Sequence, residues 1–452
     1  MEGLTINSLK KKDLLTLGFM MFSIYFGAGN LIFPPALGQA AGDHTLHAML
    51  GFMTTGIGLP LLGITAIALA GGEYVPLLHA KTWPRFATVL LVILYLIIGP
   101  LFAMPRTGAV SFEIGIRPFL SADNLALGQI IYTAIFFASS YYLALNPNKI
   151  IDRVGRMLTP ALLIVLLILF VQAFHAPLGA ILPATGAYID APFAQGFQDG
   201  YQTMDLLASI AIGALVANAV RMRGITDSRA VGAACLVSGL ITVMLMAAVY
   251  GSLAYIGATS TSILGQAENG GQILSAAVGI FFGSAGNLLL AVIIGLACLT
   301  TCCGITSSAA MFFNKLLKGR VSYERLLLFS ILFSFAASNV GLTQIIALAI
   351  PFLVTIYPLI IVFVILSLFD RFIGWRKSIY QGAMTLTLVF SLIDGLHAAG
   401  LSSEPVHALL VAYIPFYNIM MGWVCPAVIG ALVGLAVSFF QTAPAAAKES
   451  QV

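Results

Sequence analysis

Apolar runs recur along nearly the whole chain, each long enough to cross a hydrocarbon core of about 30 Å, which takes around 20 helical residues. About twelve can be counted, at 14–41, 48–70, 87–112, 126–145, 157–176, 200–220, 230–257, 277–313, 325–340, 343–369, 379–397 and 408–440. The longest polar connections fall around 71–86, 177–199 and 258–276, and no linker or soluble domain interrupts the series. This pattern predicts an all-α polytopic membrane protein with one transmembrane domain over residues 1–440. The closing QTAPAAAKESQV is small and polar, too poor in apolar surface to order itself, and predicts a disordered tail over 441–452.

Composition supports the reading and orients it. Of 452 residues, 60% are hydrophobic and 8% charged, and the mean hydropathy is +1.01; soluble proteins carry roughly 25% charged residues. An even number of crossings puts both termini on one side, and 19 of the 21 Lys and Arg fall there, only Arg106 and Arg117 lying elsewhere. Basic loops stay in the cytoplasm, so both termini are expected to be cytoplasmic. The formal charge of +4 then reflects topology and not nucleic-acid binding. Lys10, Lys11 and Lys12 precede an apolar segment too long for a signal peptide and without a small-residue cleavage site, so it is read as the first span. The five cysteines, Cys235, Cys298, Cys302, Cys303 and Cys425, sit in apolar stretches without CxxC spacing and read as packing residues.

The first span is unusual at its centre. Residues 24–35 read IYFGAGNLIFPP, and 14–41 as a straight helix would be about 42 Å long at 1.5 Å per residue, more than the core it crosses. The segment can tilt, or it can break. Gly27 and Gly29 loosen the backbone, and Pro34 and Pro35 each lack a donor and crowd the preceding turn. Unwound backbone at membrane depth is tolerated only where protein buries it or it lines a cavity, and in secondary transporters such cavities hold substrate and coupling ion. Glycines that merely let helices pack closely are the alternative, but they leave Asn30 and the two prolines unexplained. Five spans later, GYQTMDLLASIAIGALVANAV places Asp205 in an apolar context ahead of Ala208, Ser209, Ala211, Gly213 and Ala214, where an inverted repeat would put its second broken helix.

Other polar residues are few. The eighth span carries Thr300, Thr301, Thr306, Ser307 and Ser308 in ACLTTCCGITSSAAMFFNK; such hydroxyls either bond back to their own helix or, with carbonyls freed by an unwound helix, form a neutral cage suited to sodium. Arg106, in GPLFAMPRTGAVSFE, is an intramembrane cation and a functional candidate by default. Glu113, two turns on, and Asp205 are its expected partners, a structural Arg106–Glu113 ion pair being the plainer reading. His44 and His47 form HxxH without a third ligand, a poor metal signal. Asp394 and His397 sit near the outer end of the eleventh span, and the histidines read as surface groups.

With GAGNLIFPP, GPLFAMPRTGAVSFE, GYQTMDLLAS, ACLTTCCGITSS and NVGLTQIIALAIPFLVTIYP in order, the chain closely resembles the bacterial branched-chain amino acid:cation symporter family, essentially end to end. The resemblance implies uptake of leucine, isoleucine and valine with sodium across the bacterial inner membrane. It also implies a LeuT-type fold: two inverted five-helix repeats, 14–176 and 200–369, plus two additional helices over 379–440, with helices 1 and 6 discontinuous. By that comparison Gly27, Ala28, Gly29 and Asn30 form the unwound, substrate-binding centre of helix 1. Asp205, Ser209, Ala211 and Gly213 would be the pocket side of helix 6. A sodium site would draw on Ser23, Phe26, Cys303, Thr306 and Ser307, or on Thr300 and Thr301 if the register slips.

No cofactor other than the coupling ion is expected, and no obligate protein partner is evident beside the lipid bilayer. The rival reading is a proton-coupled symporter of other small neutral amino acids, with Asp205 as the best titratable candidate. A polytopic enzyme would show HExxH, GxSxG or an intramembrane aspartate pair, and the chain shows none of these.

Overall fold

In lipid every backbone N–H and C=O must find its partner within the protein. The computed structural model, which describes residues 10–440 apart from 73, 146, 226, 375 and 403, meets that demand with helices, and contains no strand among the described residues. The tail expected over 441–452 lies outside them.

The helices are α1 (Lys11–Tyr25), α2 (Ala28–Ala41), α3 (Thr45–Met53), α4 (Leu59–Leu69), α5 (Tyr74–Lys81), α6 (Pro84–Leu96), α7 (Ala103–Gly115), α8 (Leu125–Ala144), α9 (Pro147–His175) and α10 (Pro192–Asp199). There follow α11 (Asp205–Arg221), α12 (Ser228–Leu264), α13 (Gly270–Leu316), α14 (Tyr323–Ser338), α15 (Leu342–Leu368), α16 (Asp370–Ile373), α17 (Lys377–Ala398), α18 (Glu404–Tyr413) and α19 (Val424–Phe440). Among the described residues, seven stretches are long and apolar enough to cross a membrane by themselves. The pair α10 and α11, bent by 48°, makes an eighth, and Pro160–His175 and Val424–Phe440 are shorter apolar helices.

The polar connections are more ordered than their composition suggests. Helix α5 lies inside the first of them, α10 ends the second, and α12 and α13 run into the third from both sides.

Apolar side chains face outward as well as inward: Ile135, Leu167 and Leu288 are 62%, 60% and 60% exposed. Arg106, Glu113 and Asp205 are buried. A protein in water hides such a surface, whereas a hydrocarbon surround accepts it.

Helices approach closely where glycines line the seam. Along α2 and α12, a Cβ on Gly38 would collide with the Ala254 carbonyl and one on Gly257 with the Pro35 carbonyl. Gly382 and Gly430 face each other in the same way between α17 and α19.

Among the described residues, four of the long segments are interrupted. Phe26 (φ −73°, ψ 97°) and Gly27 (φ −124°, ψ −168°) are extended between α1 and α2. Between α10 and α11 a 3-10 turn, Gly200–Thr203, leads to Met204 in the left-handed region (φ 62°, ψ 14°). Between α6 and α7, Gly99 (φ −99°, ψ −125°) departs from helix beside Pro100. Within α13, Gly283 leaves the helix (φ 65°, ψ −160°). The first interruption falls at the glycine and not at the prolines, because α2 continues through Pro34 and Pro35 to Ala41. Without their N–H groups, those prolines cannot bond the carbonyls of Asn30 and Leu31 one turn earlier, so the helix is weakened without being ended.

Candidate functional site

The first two interruptions meet, and Asn30 joins them. As the third residue of α2 it turns its side chain back over the gap, Oδ1 accepting from the Gly27 N–H at 2.9 Å. Its Nδ2 donates to Asp205 Oδ2 at 2.7 Å and to the Tyr250 hydroxyl. Tyr250, on α12, donates in turn to the same Asp205 oxygen at 3.5 Å. Every hydrogen-bonding atom of the Asn30 amide is thereby used.

Asp205 is the first residue of α11, so its carboxylate stands at a helix N-terminus, where negative charge is favoured. Its N–H donates to Thr203 Oγ1 at 3.3 Å. At α2 the leading N–H groups, those of Ala28 and Gly29, have no intrahelical acceptor.

Arg106 enters from α7, one turn beyond the irregular Gly99–Phe102 segment. Its Nη1 donates to the Gln202 carbonyl at 2.5 Å and its Nη2 to the Thr203 carbonyl at 3.4 Å. These are carbonyls released by the end of the 3-10 turn, the negative end of a half-helix. The guanidinium also lies 5.2 Å from the centre of the Phe33 ring. Gly29 makes room for it: a Cβ there would sit 2.9 Å from Arg106 Nη2. Arg106 and Asp205, 5% and 4% exposed, are thus buried close to one another with opposite charges, a compensation that lowers the cost of burying either alone.

Several expected groupings are not formed. Glu113 does not pair with Arg106; its Oε1 accepts from Arg117 Nη1 at 2.7 Å, Gln272 Nε2 at 2.9 Å and Asn269 Nδ2 at 3.2 Å. Arg117, one turn away, takes the Glu113 carboxylate, while Arg106 is turned to the carbonyls of Gln202 and Thr203. Ser209 lies against Gly63 of α4 and bonds the Tyr25 side chain in the last turn of α1, while Gly213 lies against Ile67 of α4. Ala211 is half-buried and packs with the core shared by α11, α15 and α17.

The hydroxyls of α13 point in different directions. Thr301 is the one beside the first interruption: a Cβ on Gly27 would lie 3.4 Å from its Cγ2 and 3.7 Å from its Oγ1. Thr300 and Thr301 both donate to the Ala297 carbonyl at 2.9 Å. Thr306 faces α7, donating to the Cys302 carbonyl at 2.6 Å with Met104 Sδ 3.4 Å away. Cys303 faces α8, its Sγ 3.6 Å from the Ser140 carbonyl, and Ser307 neighbours Tyr323 of α14. Five residues at 100° each turn Thr306 about 140° away from Thr301, so one cation cannot take both hydroxyls. Ser23 and Phe26 lie in the last turn of α1 and just beyond it.

Tyr250, Gln202 and Phe33 belong to the junction and were not singled out by the sequence. A tyrosine in AAVYGSLAYIG has no local mark that separates it from a packing residue.

Comparison with known proteins identifies the family and the fold. Residues 10–441 match the family described as "Branched-chain amino acid transport protein". The chain is 46% identical over 434 residues to branched-chain amino acid permease BraB of Bacillus subtilis (strain 168), covering 96% of this chain and 97% of that one. To the branched-chain amino acid transport system 2 carrier protein of Pseudomonas aeruginosa it is 45% identical over 418 residues, covering 92% and 94%. In fold it is similar to MhsT solved in complex with L-phenylalanine (TM-score 0.56, 18% identity, 94% and 98% covered) and to the nucleobase-cation-symport-1 family transporter Mhp1 with bromovinylhydantoin (TM-score 0.56, 14% identity, 94% and 92% covered). With a family match across nearly its whole length and relatives of this similarity, the chain belongs to the branched-chain amino acid transport protein family, a family of membrane transporters and not of enzymes.

Proposed function

We propose that this transporter imports leucine, isoleucine and valine by sodium-coupled symport through alternating access. Its setting is a bacterial inner membrane, crossed about twelve times, with both termini cytoplasmic. The five-plus-five repeat (14–176 and 200–369) with two additional helices (379–440) is the arrangement expected of helices 1 and 6 interrupted as α1/α2 and α10/α11 are. The observation that carries the reading is the Asn30 bridge: one side chain spans both interruptions, so an amino acid held there biases both helices at once.

In this reading the freed amides of Ala28 and Gly29 receive the substrate carboxylate, and the aliphatic side chain lies among apolar residues. A methylene in such a pocket is worth only about 1–3 kcal/mol, which fits overlapping acceptance of the three amino acids. Sodium is held by hydroxyls of α13 and carbonyls at the end of α1. The position of Thr301 against Gly27 favours Thr300 and Thr301, with Ser23 and Phe26, over Cys303, Thr306 and Ser307. One charge moving inward across about 100 mV supplies about 2.3 kcal/mol, enough for roughly 40-fold accumulation.

The second reading, proton-coupled symport of other small neutral amino acids, is favoured by one feature, the buried carboxylate of Asp205 inside the junction. Leucine uptake into proteoliposomes separates the two. Uptake driven by an inward sodium gradient and insensitive to collapse of a pH gradient supports sodium. Uptake indifferent to sodium overturns it, and an absence of leucine, isoleucine and valine uptake removes the substrate assignment.

A further inference from the structure

Two buried polar atoms at the junction have no hydrogen-bond partner, Arg106 Nε and Gln202 Oε1. Their residues are 5% and 7% exposed, and a bare buried donor or acceptor costs about 1–3 kcal/mol. They are neighbours, since Arg106 Nη1 bonds the backbone carbonyl of Gln202 itself.

The two atoms have complementary chemistry. A guanidinium takes a carboxylate through two parallel N–H groups, and the edge formed by Nε and Nη2 is the one left available. Nε is unpartnered, and Nη2 makes only the 3.4 Å contact with the Thr203 carbonyl. No side-chain carboxylate takes that edge, for Arg106 is in neither of the two ion pairs found among the described residues. Phe33 under the guanidinium and the missing side chain at Gly29 hold its plane against α2. Gln202 Oε1 is an acceptor only, and so presents the negative pole that an ammonium seeks.

We propose that Arg106 and Gln202 form a clamp for the zwitterionic end of the amino acid, Arg106 binding the α-carboxylate through Nε and Nη2 and Gln202 Oε1 accepting from the α-ammonium. The clamp rests on the reading that a free amino acid binds at this junction. It adds to the helix amides a charged ligand from a third helix, and it makes the site selective for the zwitterion independently of the side chain that follows.

Equilibrium binding of three ligands to the purified full-length protein tests it: leucine, leucinol, which lacks the carboxylate, and 4-methylpentanoate, which lacks the ammonium. The wild type is expected to prefer leucine to leucinol by about 10- to 100-fold, the range of a charge-assisted hydrogen bond. In Arg106→Gln that preference falls to near parity while leucinol binding is retained. In Gln202→Leu the preference for leucine over 4-methylpentanoate shrinks while that over leucinol persists. Arg106→Lys, which keeps the charge but loses the fork, reads the same preference if the Gln variant does not fold. Arg106 variants that still favour leucine over leucinol as the wild type does, or that lose both ligands equally, overturn the clamp while leaving the substrate reading intact. A wild type that binds no leucine overturns both.

Discussion

Asn30 Nδ2 lies 2.7 Å from Asp205 Oδ2, a contact across 175 residues of sequence that ties the start of α2 to the start of α11. Both residues are buried, so neither replaces the lost contact with water when its partner is removed. Hydrogen bonds to a charged group contribute about 1.5–3 kcal/mol. A double-mutant cycle of Asn30→Ala and Asp205→Ala, read by thermal unfolding in detergent, is therefore expected to give a coupling of about that size, with leucine uptake lost in each single variant. Additive effects would show that the contact is incidental to the packing of the two helices.

Away from the junction, the ion pair of Lys81 and Asp370 makes a separate demand. Lys81 Nζ donates to both carboxylate oxygens at 2.7 and 2.8 Å, and the Tyr380 hydroxyl donates to one of them at 3.0 Å. The pair links the end of α5 to the start of α16, with α17 contributing the tyrosine. Removing one partner of a buried pair typically costs about 3–5 kcal/mol, whereas replacing both by apolar groups is often neutral. Lys81→Met is expected to lower the unfolding temperature sharply, and Lys81→Met with Asp370→Leu to recover most of the loss. If the double variant is no better than the single one, the pair contributes more than its charges.

Glycines in close seams and glycines in open space are expected to respond with opposite sign. A Cβ on Gly38 or Gly257 would enter a carbonyl of the facing helix, while one on Gly304 would meet nothing within 4 Å. Gly38→Ala and Gly257→Ala should each destabilise by about 1–3 kcal/mol or more as α2 and α12 are forced apart. Gly304→Ala should be neutral or stabilise by about 0.5–1 kcal/mol, since alanine is the better helix former. Unfolding in detergent measures all three, and a neutral Gly257→Ala would mean that the α2–α12 seam yields easily.

Much of this architecture was legible because lipid leaves the chain so few choices. Length and apolarity identify helices, but of the expected unwound centre Gly27–Asn30 only Gly27 falls in the gap, Ala28, Gly29 and Asn30 forming the first turn of α2. The place in the expected repeat points to the second near Asp205, but the break is the turn Gly200–Met204, and the small residues 208–214 lie in the unbroken α11. The Arg106–Glu113 pairing failed because Arg106 is satisfied by the carbonyls of Gln202 and Thr203, and every residue carries a carbonyl. Whether one is free depends on where a helix stops. The interruption at Gly99 was not read, its glycine and proline being no different in kind from the prolines that α2 absorbs. Orientation around a helix is equally hidden, as Gly213 shows by lying against Ile67 of α4.

Rotation around α13 also decides the sodium prediction. Thr301 stands beside Gly27, where the carbonyls of the last turn of α1 are released, while Thr306 is held between Cys302 and Met104. A hydroxyl that ligates the coupling ion, once removed, should weaken it by roughly the value of one charge-assisted contact, about tenfold. Thr301→Ala is therefore expected to raise the sodium concentration for half-maximal leucine uptake about tenfold, and Thr306→Ala to leave it unchanged while affecting stability through the lost bond to Cys302. Thr301→Ser, which retains the oxygen, should restore sodium activation. Sodium dependence measured in proteoliposomes under saturating leucine checks all three, and the reverse order, with Thr306 sensitive and Thr301 indifferent, would move the ion to the α7 face of α13.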